Sequence, residues 1–209
     1  MKDIDRLHVL TDTELQQRYS HEELARLAIA GGAGVIQFRQ KQGSTRQMIE
    51  TARHMLAICR GHKAKLIIND RLDVALAAGA DGVHLGQDDF PLDQAREILG
   101  PDKIIGGSAS SVEEAALCRA GGVDYIGLGP VYPTTSKADA GPAGGLDLLR
   151  RVSREFGLPV IAIGGVNAAR AAEVMGAGAH GMAVISAVCC QADPQEAAAE
   201  LLRAMLGNR

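Results

Sequence analysis

Residues 66–89 read LIINDRLDVALAAGADGVHLGQDD, and this stretch decides how the rest of the chain is read. An apolar run, Leu66 to Ile68, stops at Asn69-Asp70. An alanine-rich helical stretch covers Asp73 to Ala78. A second apolar run, Gly82 to Leu85, stops at Gln87-Asp88-Asp89. The order is strand, helix, strand, with carboxylates after each strand. Neighbouring parallel strands that both finish this way bring their carboxylates together at one rim of a sheet. Two acidic groups converging there without a nearby base suit a divalent cation, because hard cations take oxygen ligands. The competing reading makes Asp70 and Asp89 N-caps of the helices that follow. Asp73 and Asp81 fall in helix and in helix-to-strand turn, and drop out of the pair. Asp88 and Asp89 are not separated by pattern.

The same unit repeats outward in both directions. Upstream, Leu7 to Leu10 is a strand followed by Thr11-Asp12. Ser20-His21-Glu22-Glu23 is a capping box for a helix to about Ala30. Val35 to Arg39 is a strand, and a helix from Ser44 or Thr45 runs to about Cys59. Downstream come a helix at Leu92–Leu99, a strand at Ile104-Ile105 leading into Gly106-Gly107-Ser108, a capped helix to Ala120 and a strand at Tyr125–Leu128. An irregular segment from Gly129 to Gly145 precedes a helix at Leu146–Phe156. Pro159–Ile163 and Met182–Ile185 are the last strands, separated by a helix at Ala168–Met175, and Asp193–Leu206 is the final helix. The strands are near-continuous apolar runs, as parallel strands covered on both faces should be. Eight such units over residues 1–209, with no shift in composition marking a linker, predict one (β/α)8 barrel domain. An open doubly wound sheet is the runner-up, weakened because no GxGxxG follows the first strand.

Composition narrows the function. Hydrophobic residues make up 46% of the 209 and aromatics only 3%, with no Trp, so the core is built from Ala, Leu, Ile and Val. A net charge of -3 gives no electrostatic case for nucleic acid or an anionic membrane. No apolar run reaches the 18 or so residues of a membrane span. Asp3 and Asp5 stand where a signal peptide needs an apolar region, so the expected location is cytoplasmic. Cys59, Cys118, Cys189 and Cys190 lack CxxC spacing and are expected to be small buried hydrophobes. Oligomeric state is left open, a homo-oligomer included.

In a parallel barrel, function gathers where strands run into helices. The residues just after the strands are Gln37, Arg39 and Lys41; Asn69 and Asp70; Asp88 and Asp89; Ser108; Thr134, Thr135, Ser136 and Lys137; Gly164 and Gly165; and Ser186. Mixed charges and hydroxyls at most of eight ends favour a polyanion site. Arg39 and Lys41, two apart, point the same way in an extended chain and suit a diphosphate clamp, or else a solvated edge pair. Lys137, in the hydroxyl-rich TTSK loop, can close over an anion or belong to an ordinary surface turn. Gly164-Gly165 and Ile185-Ser186, after the last two strands, fit a backbone phosphate site. His84 reads as a barrel-interior histidine, and His180 lies at the wrong rim. With no clear base or nucleophile, the expected chemistry is departure of diphosphate assisted by Mg²⁺ and cations.

Six segments, IQFRQK (36–41), LIINDRLDVALAAGADGVHLGQDD (66–89), IIGGSAS (104–110), DYIGLGPVYPTTSKAD (124–139), PVIAIGGVN (159–167) and AVISAV (183–188), resemble thiamine-phosphate synthase in order and spacing over nearly the whole chain. That family joins a hydroxymethylpyrimidine diphosphate to a thiazole phosphate, releasing diphosphate and forming thiamine monophosphate. The resemblance implies that Gln37, Phe38, Arg39, Gln40, Lys41, Asn69, Ser108 and Lys137 meet the pyrimidine diphosphate. Among these, Arg39, Lys41, Ser108 and Lys137 are given the catalytic work. It implies Asp70 and Asp89 as ligands of one Mg²⁺, with the substrate diphosphate as co-ligand. Thr134, Thr135, Ser136, Gly165, Ile185 and Ser186 are implied for the thiazole phosphate. The chain departs from the commonest pattern at Gln40 (usually Glu), Ser110-Ser111 (usually His-Thr) and Ser136 (usually Thr). A thiazole tautomerase, a non-catalytic phosphate-binding barrel and, more weakly, a sugar-phosphate epimerase are the rival readings.

Overall fold

The structure, a computed structural model, describes residues 2–136 and 141–207. Strands and helices alternate from the start: β1 (Leu7–Thr11), α1 (His21–Ala30), β2 (Val35–Phe38), α2 (Thr45–Gly61), β3 (Lys65–Asn69), α3 (Leu72–Ala78), β4 (Gly82–Leu85), α4 (Leu92–Leu99) and β5 (Ile104–Ala109). The second half continues with α5 (Val112–Ala120), β6 (Tyr125–Leu128), α6 (Gly145–Glu155), β7 (Val160–Ile163), α7 (Ala168–Gly176), β8 (Gly181–Val184), the single turn α8 (Ser186–Cys189) and α9 (Pro194–Leu206). Each strand pairs in parallel with the next, and β8 returns to β1, giving a closed eight-stranded barrel. This is the (β/α)8 barrel expected from the alternation.

Local chemistry sets the helix starts. Ser20 and Ser44 both form reciprocal capping boxes, with Glu23 and Gln47. Asn167 caps α7 and Asp193 caps α9. Asp70 and Asp89 cap nothing. The residues before α3 and α4 are Arg71 and Pro91, neither with a side-chain cap bond. The helix-cap reading of those two carboxylates is therefore excluded.

Strand alternation divides the core in two. Leu10, Val35, Ile67, Ile104, Tyr125, Ile161 and Ala183 fill the barrel interior. Ile36, Phe38, Leu66, Ile68, Val83 and Ile105 face outward into the larger layer beneath the helices. β5 is longer than its apolar residues suggest, because Gly106-Gly107 continues the strand rather than ending it. A Cβ on Gly106 would lie 2.2 Å from the Tyr125 ring, and one on Gly107 would lie 2.7 Å from Cys118 Sγ. These glycines serve close packing, which looks like a turn in the sequence. Three of the cysteines are buried, Cys190 is half-buried, and all are free. Among the described residues no helix is long and apolar enough to cross a membrane.

Candidate active site

A cavity of about 440 Å³ opens at the rim where the strands end, lined from β2 round to β8. One side is charged. Lys41 Nζ lies 2.5 Å from Asp70 Oδ2. Asp70 follows β3 with φ +64, a left-handed conformation uncommon for a residue with a side chain, held by its N–H donating to His84 O at 2.8 Å. Asp89 is tied into its own turn by the Gly86 N–H, 2.6 Å from Oδ2. Burial, reinforced by the Asp70 carboxylate, pushes the Asp89 carboxyl above its ordinary range, against the downward pull of Gly86 N–H and Lys41. Asp88 also lines the cavity but is exposed. The neighbour of Asp70 is thus Asp89.

Arg39 leaves the end of β2 and donates through Nη1 to Asp12, whose carboxylate also accepts from the N–H groups of Glu14 and Leu15. Asp12 is 1% exposed. Arg39 Nε is buried without a partner, while the residue lines the cavity. The guanidinium is thus anchored on one edge and keeps a buried nitrogen without a partner on another.

The floor is polar. Ser108 Oγ lies 2.9 Å from His84 Nε2, and His84 Nδ1 lies 3.0 Å from the buried Tyr125 hydroxyl. Burial raises the Tyr125 phenol well above its ordinary range, so it stays protonated. Glycines on the next two strands, β5 and β6, leave room for the imidazole. A Cβ on Gly106 would be 2.4 Å from His84 Nδ1, and one on Gly127 2.7 Å from Cε1.

The opposite end is built from backbone and hydroxyls. Gly164 and Gly165 have φ +90 and +63. A Cβ on Gly164 would meet Pro130 at 2.5 Å, and one on Gly165 would meet Tyr132 Cβ at 2.7 Å, so both positions need glycine. Ser136 Oγ is 2.9 Å from Ser186 Oγ, joining the β6–α6 loop to the first residue of α8. Thr134 Oγ1 accepts from Ser136 N–H at 3.2 Å.

The cavity therefore brings together Arg39, Lys41, Asn69, Asp70, Asp89, Ser108, Thr134, Ser136, Gly165, Ile185 and Ser186. Four expected positions lie elsewhere. Gln37 points into the barrel beneath the cavity, 3% exposed and with its Oε1 unpartnered. Phe38, the next residue along the strand, points outward and packs its ring edge-on against His21, 4.7 Å between centroids. Gln40 turns back to bond Gln42 O at 2.7 Å. Thr135 lines an adjoining groove between the loops and α7–α9. Lys137 lies outside the described residues. The sequence reading missed Asp12 as the partner of Arg39, and passed over Gln87, whose Nε2 donates to Ser108 O at 2.6 Å.

The thiamine monophosphate synthase family profile matches residues 7–188. The chain is 52% identical over 206 residues to the thiamine-phosphate synthase of Salinibacter ruber, covering 99% of this chain and 91% of the relative. The chain belongs to the thiamine monophosphate synthase family. It is 54% identical to the Methanocella arvoryzae thiamine-phosphate synthase over 93% of this chain and 92% of that one. Among solved structures, the thiamine phosphate pyrophosphorylase of Pyrococcus furiosus superposes with a TM-score of 0.89 at 42% identity, covering 96% of this chain and 95% of the other. Membership in the thiamine monophosphate synthase family makes the chain a transferase of thiamine biosynthesis. At the departure read from the sequence, Ser111 caps α5 through Glu114 N–H, and Ser110 donates to the Glu114 carboxylate at 2.8 Å. Both serines are engaged in starting that helix.

Proposed function

We propose that the charged side of the cavity takes the diphosphate of a hydroxymethylpyrimidine diphosphate and that the glycine-serine end takes a thiazole phosphate. The observation that carries this reading is the placement, in one cavity, of Arg39, Lys41 and an acidic pair opposite the Gly164-Gly165 turn and Ser186. One cationic anion site and one backbone anion site suit two phosphorylated substrates meeting between them.

The donor set near Lys41 fits a hard divalent cation such as Mg²⁺. Asp70 and Asp89 supply oxygen, and Asp89 is raised toward protonation by burial and by its neighbour, a repulsion that a cation relieves. Among the described residues no group of three or more His, Cys, Asp or Glu is arranged for a metal. The remaining ligands would then come from diphosphate and water. When bound, the ion supplies positive charge to the departing diphosphate.

The side chains do the rest. Arg39, fixed by Asp12, and Lys41, released from Asp70 as diphosphate enters, hold the leaving group. The resemblance adds Lys137 to the same task. The bond from the pyrimidine methylene to the diphosphate oxygen breaks, and its electron pair leaves on diphosphate. The methylene cation is trapped by the thiazole nitrogen lone pair, which forms the new C–N bond. Ser108, fixed by His84, faces the pyrimidine end. A tautomerase acting on the thiazole half alone would have no use for the Asp70–Asp89 pair.

Incubation of purified protein with both precursors and Mg²⁺ tests the reading. Thiamine monophosphate and diphosphate should appear in equal amounts. Isomerisation of the thiazole without diphosphate release would overturn it in favour of the tautomerase.

A further inference from the structure

Arg170 belongs to α7 and lines the adjoining groove, not the cavity, yet it contacts the Gly164-Gly165 turn at the cavity's glycine-serine end. Its Nη1 donates to Gly165 O at 2.5 Å, and its guanidinium carbon sits 4.2 Å from the centre of the Tyr132 ring. That separation is a cation–π stack. The Tyr132 hydroxyl in turn donates to Glu173 Oε1 at 2.5 Å, one helical turn beyond Arg170. The arrangement clamps the start of the β6–α6 loop against α7.

The backbone consequence follows from peptide geometry. Tyr132 N–H donates to Gly164 O at 3.0 Å. Two successive carbonyls, those of Gly164 and Gly165, are therefore both held on the Tyr132–Arg170 side. Among the described residues the only cis peptide is Gly129-Pro130, so these units are trans. In a planar trans peptide the N–H points opposite to the C=O. The N–H groups of Gly165 and Val166 consequently both point away from Tyr132 and Arg170. Two successive N–H groups on one side form a concave anion-binding nest, and Gly164, Gly165 and Val166 line the cavity.

We propose that Arg170 is a positioning residue: stacked on Tyr132, it pins the Gly165 carbonyl so that the Gly165 and Val166 N–H groups receive the substrate phosphate. The inference rests on the reading of this end as the thiazole-phosphate site. Arg170 acts here through the backbone and not as a charge on the phosphate. Tyr132 and Glu173 are parts of the same device.

Two measurements test it together. In steady-state kinetics, Arg170→Ala should raise KM for the thiazole phosphate about tenfold while leaving KM for the pyrimidine diphosphate and kcat/KM for the unphosphorylated thiazole alcohol unchanged. Tyr132→Leu keeps the charge at 170 but removes the ring on which it rests, and should raise the same KM at least threefold. A normal KM in Tyr132→Leu beside a raised one in Arg170→Ala would make Arg170 a direct charge and overturn the proposal. An equal loss with the thiazole alcohol would overturn it too. Amide ¹H–¹⁵N spectra titrated with inorganic phosphate separate the two levels. If Gly165 and Val166 amides fail to shift in the wild-type protein, the phosphate-site reading itself fails. If they shift there and shift identically in Arg170→Ala, the site stands and the role of Arg170 is refuted.

Discussion

Asp12 at the end of β1 and Arg39 at the end of β2 form an ion pair in which the carboxylate is almost wholly buried and the guanidinium keeps one buried nitrogen unpartnered. The pair joins two neighbouring strand ends and presents Arg39 to the cavity. Removing one member of a buried pair leaves the other uncompensated, at a cost of about 3–5 kcal/mol. Asp12→Ala also removes the acceptor for the Glu14 and Leu15 N–H groups. It should lower stability by at least about 3 kcal/mol in urea unfolding. Asp12→Asn retains an acceptor for those N–H groups, so it should lose less stability. It should still weaken inorganic diphosphate binding about tenfold by calorimetry, because Arg39 is no longer held. Wild-type diphosphate affinity in both variants would show that Arg39 needs no anchor.

Phe38 gives the opposite kind of expectation. Its ring packs on His21 in the layer under the helices and does not line the cavity. Phe38→Leu should reduce stability by about 1 kcal/mol and leave KM for both substrates where it was. A rise in KM for the pyrimidine diphosphate without loss of stability would place the ring in the site after all.

Gly165→Ala should act at the other end. The backbone there has φ +63, and the added Cβ would come within 2.7 Å of Tyr132 Cβ and Pro133 O. The left-handed conformation alone costs an L-residue roughly 1–2 kcal/mol. A lower melting temperature together with at least a tenfold rise in KM for the thiazole phosphate is the expected result. A change in KM for the pyrimidine diphosphate alone would contradict the assignment of this end.

Acid sensitivity should come from two buried histidines outside the cavity. Burial pushes His8 down to about 4, helped by His180 and Lys65 and opposed by the bond to Asp5 O. Burial pushes His21 down to about 4 as well, opposed by Glu22 and Asp12. Unfolding returns each to about 6.5, so between pH 6.5 and 4 the unfolded chain binds more protons. Stability is therefore complete above about pH 6.5 and is lost as pH falls toward 4, by up to about 3 kcal/mol per histidine. Urea midpoints measured at pH 7 and pH 4.5 should converge in His8→Gln relative to wild type. An unchanged pH slope in that variant would remove His8 as a cause.

Most of the barrel was legible because its signals are local. The apolar runs at 66–68 and 82–85 and the boxes at Ser20 and Ser44 fix strands and helix starts without reference to anything distant. The convergence of Asp70 with Asp89 followed from strand adjacency, and the structure adds that neither caps a helix. Gly106-Gly107 was misleading, because what requires glycine there is the Tyr125–His84 pair on other strands and Cys118 on α5. Period-two alternation does distinguish Phe38 from Gln37, but a motif read as one block, IQFRQK, hides it. Asp12 was visible only as one more strand-end residue, since its role depends on a guanidinium 27 residues away. The Arg170–Tyr132 stack was invisible for the same reason.

The most direct measurement is the rate of diphosphate release from both substrates with Mg²⁺, compared between wild type and Asp70→Ala. The proximity of Asp70 to Asp89 and Lys41 predicts a loss of at least a hundredfold that added Mg²⁺ does not restore, with the fold intact by circular dichroism. Diphosphate released at the wild-type rate by Asp70→Ala would contradict the account of this cavity as a metal-assisted diphosphate site.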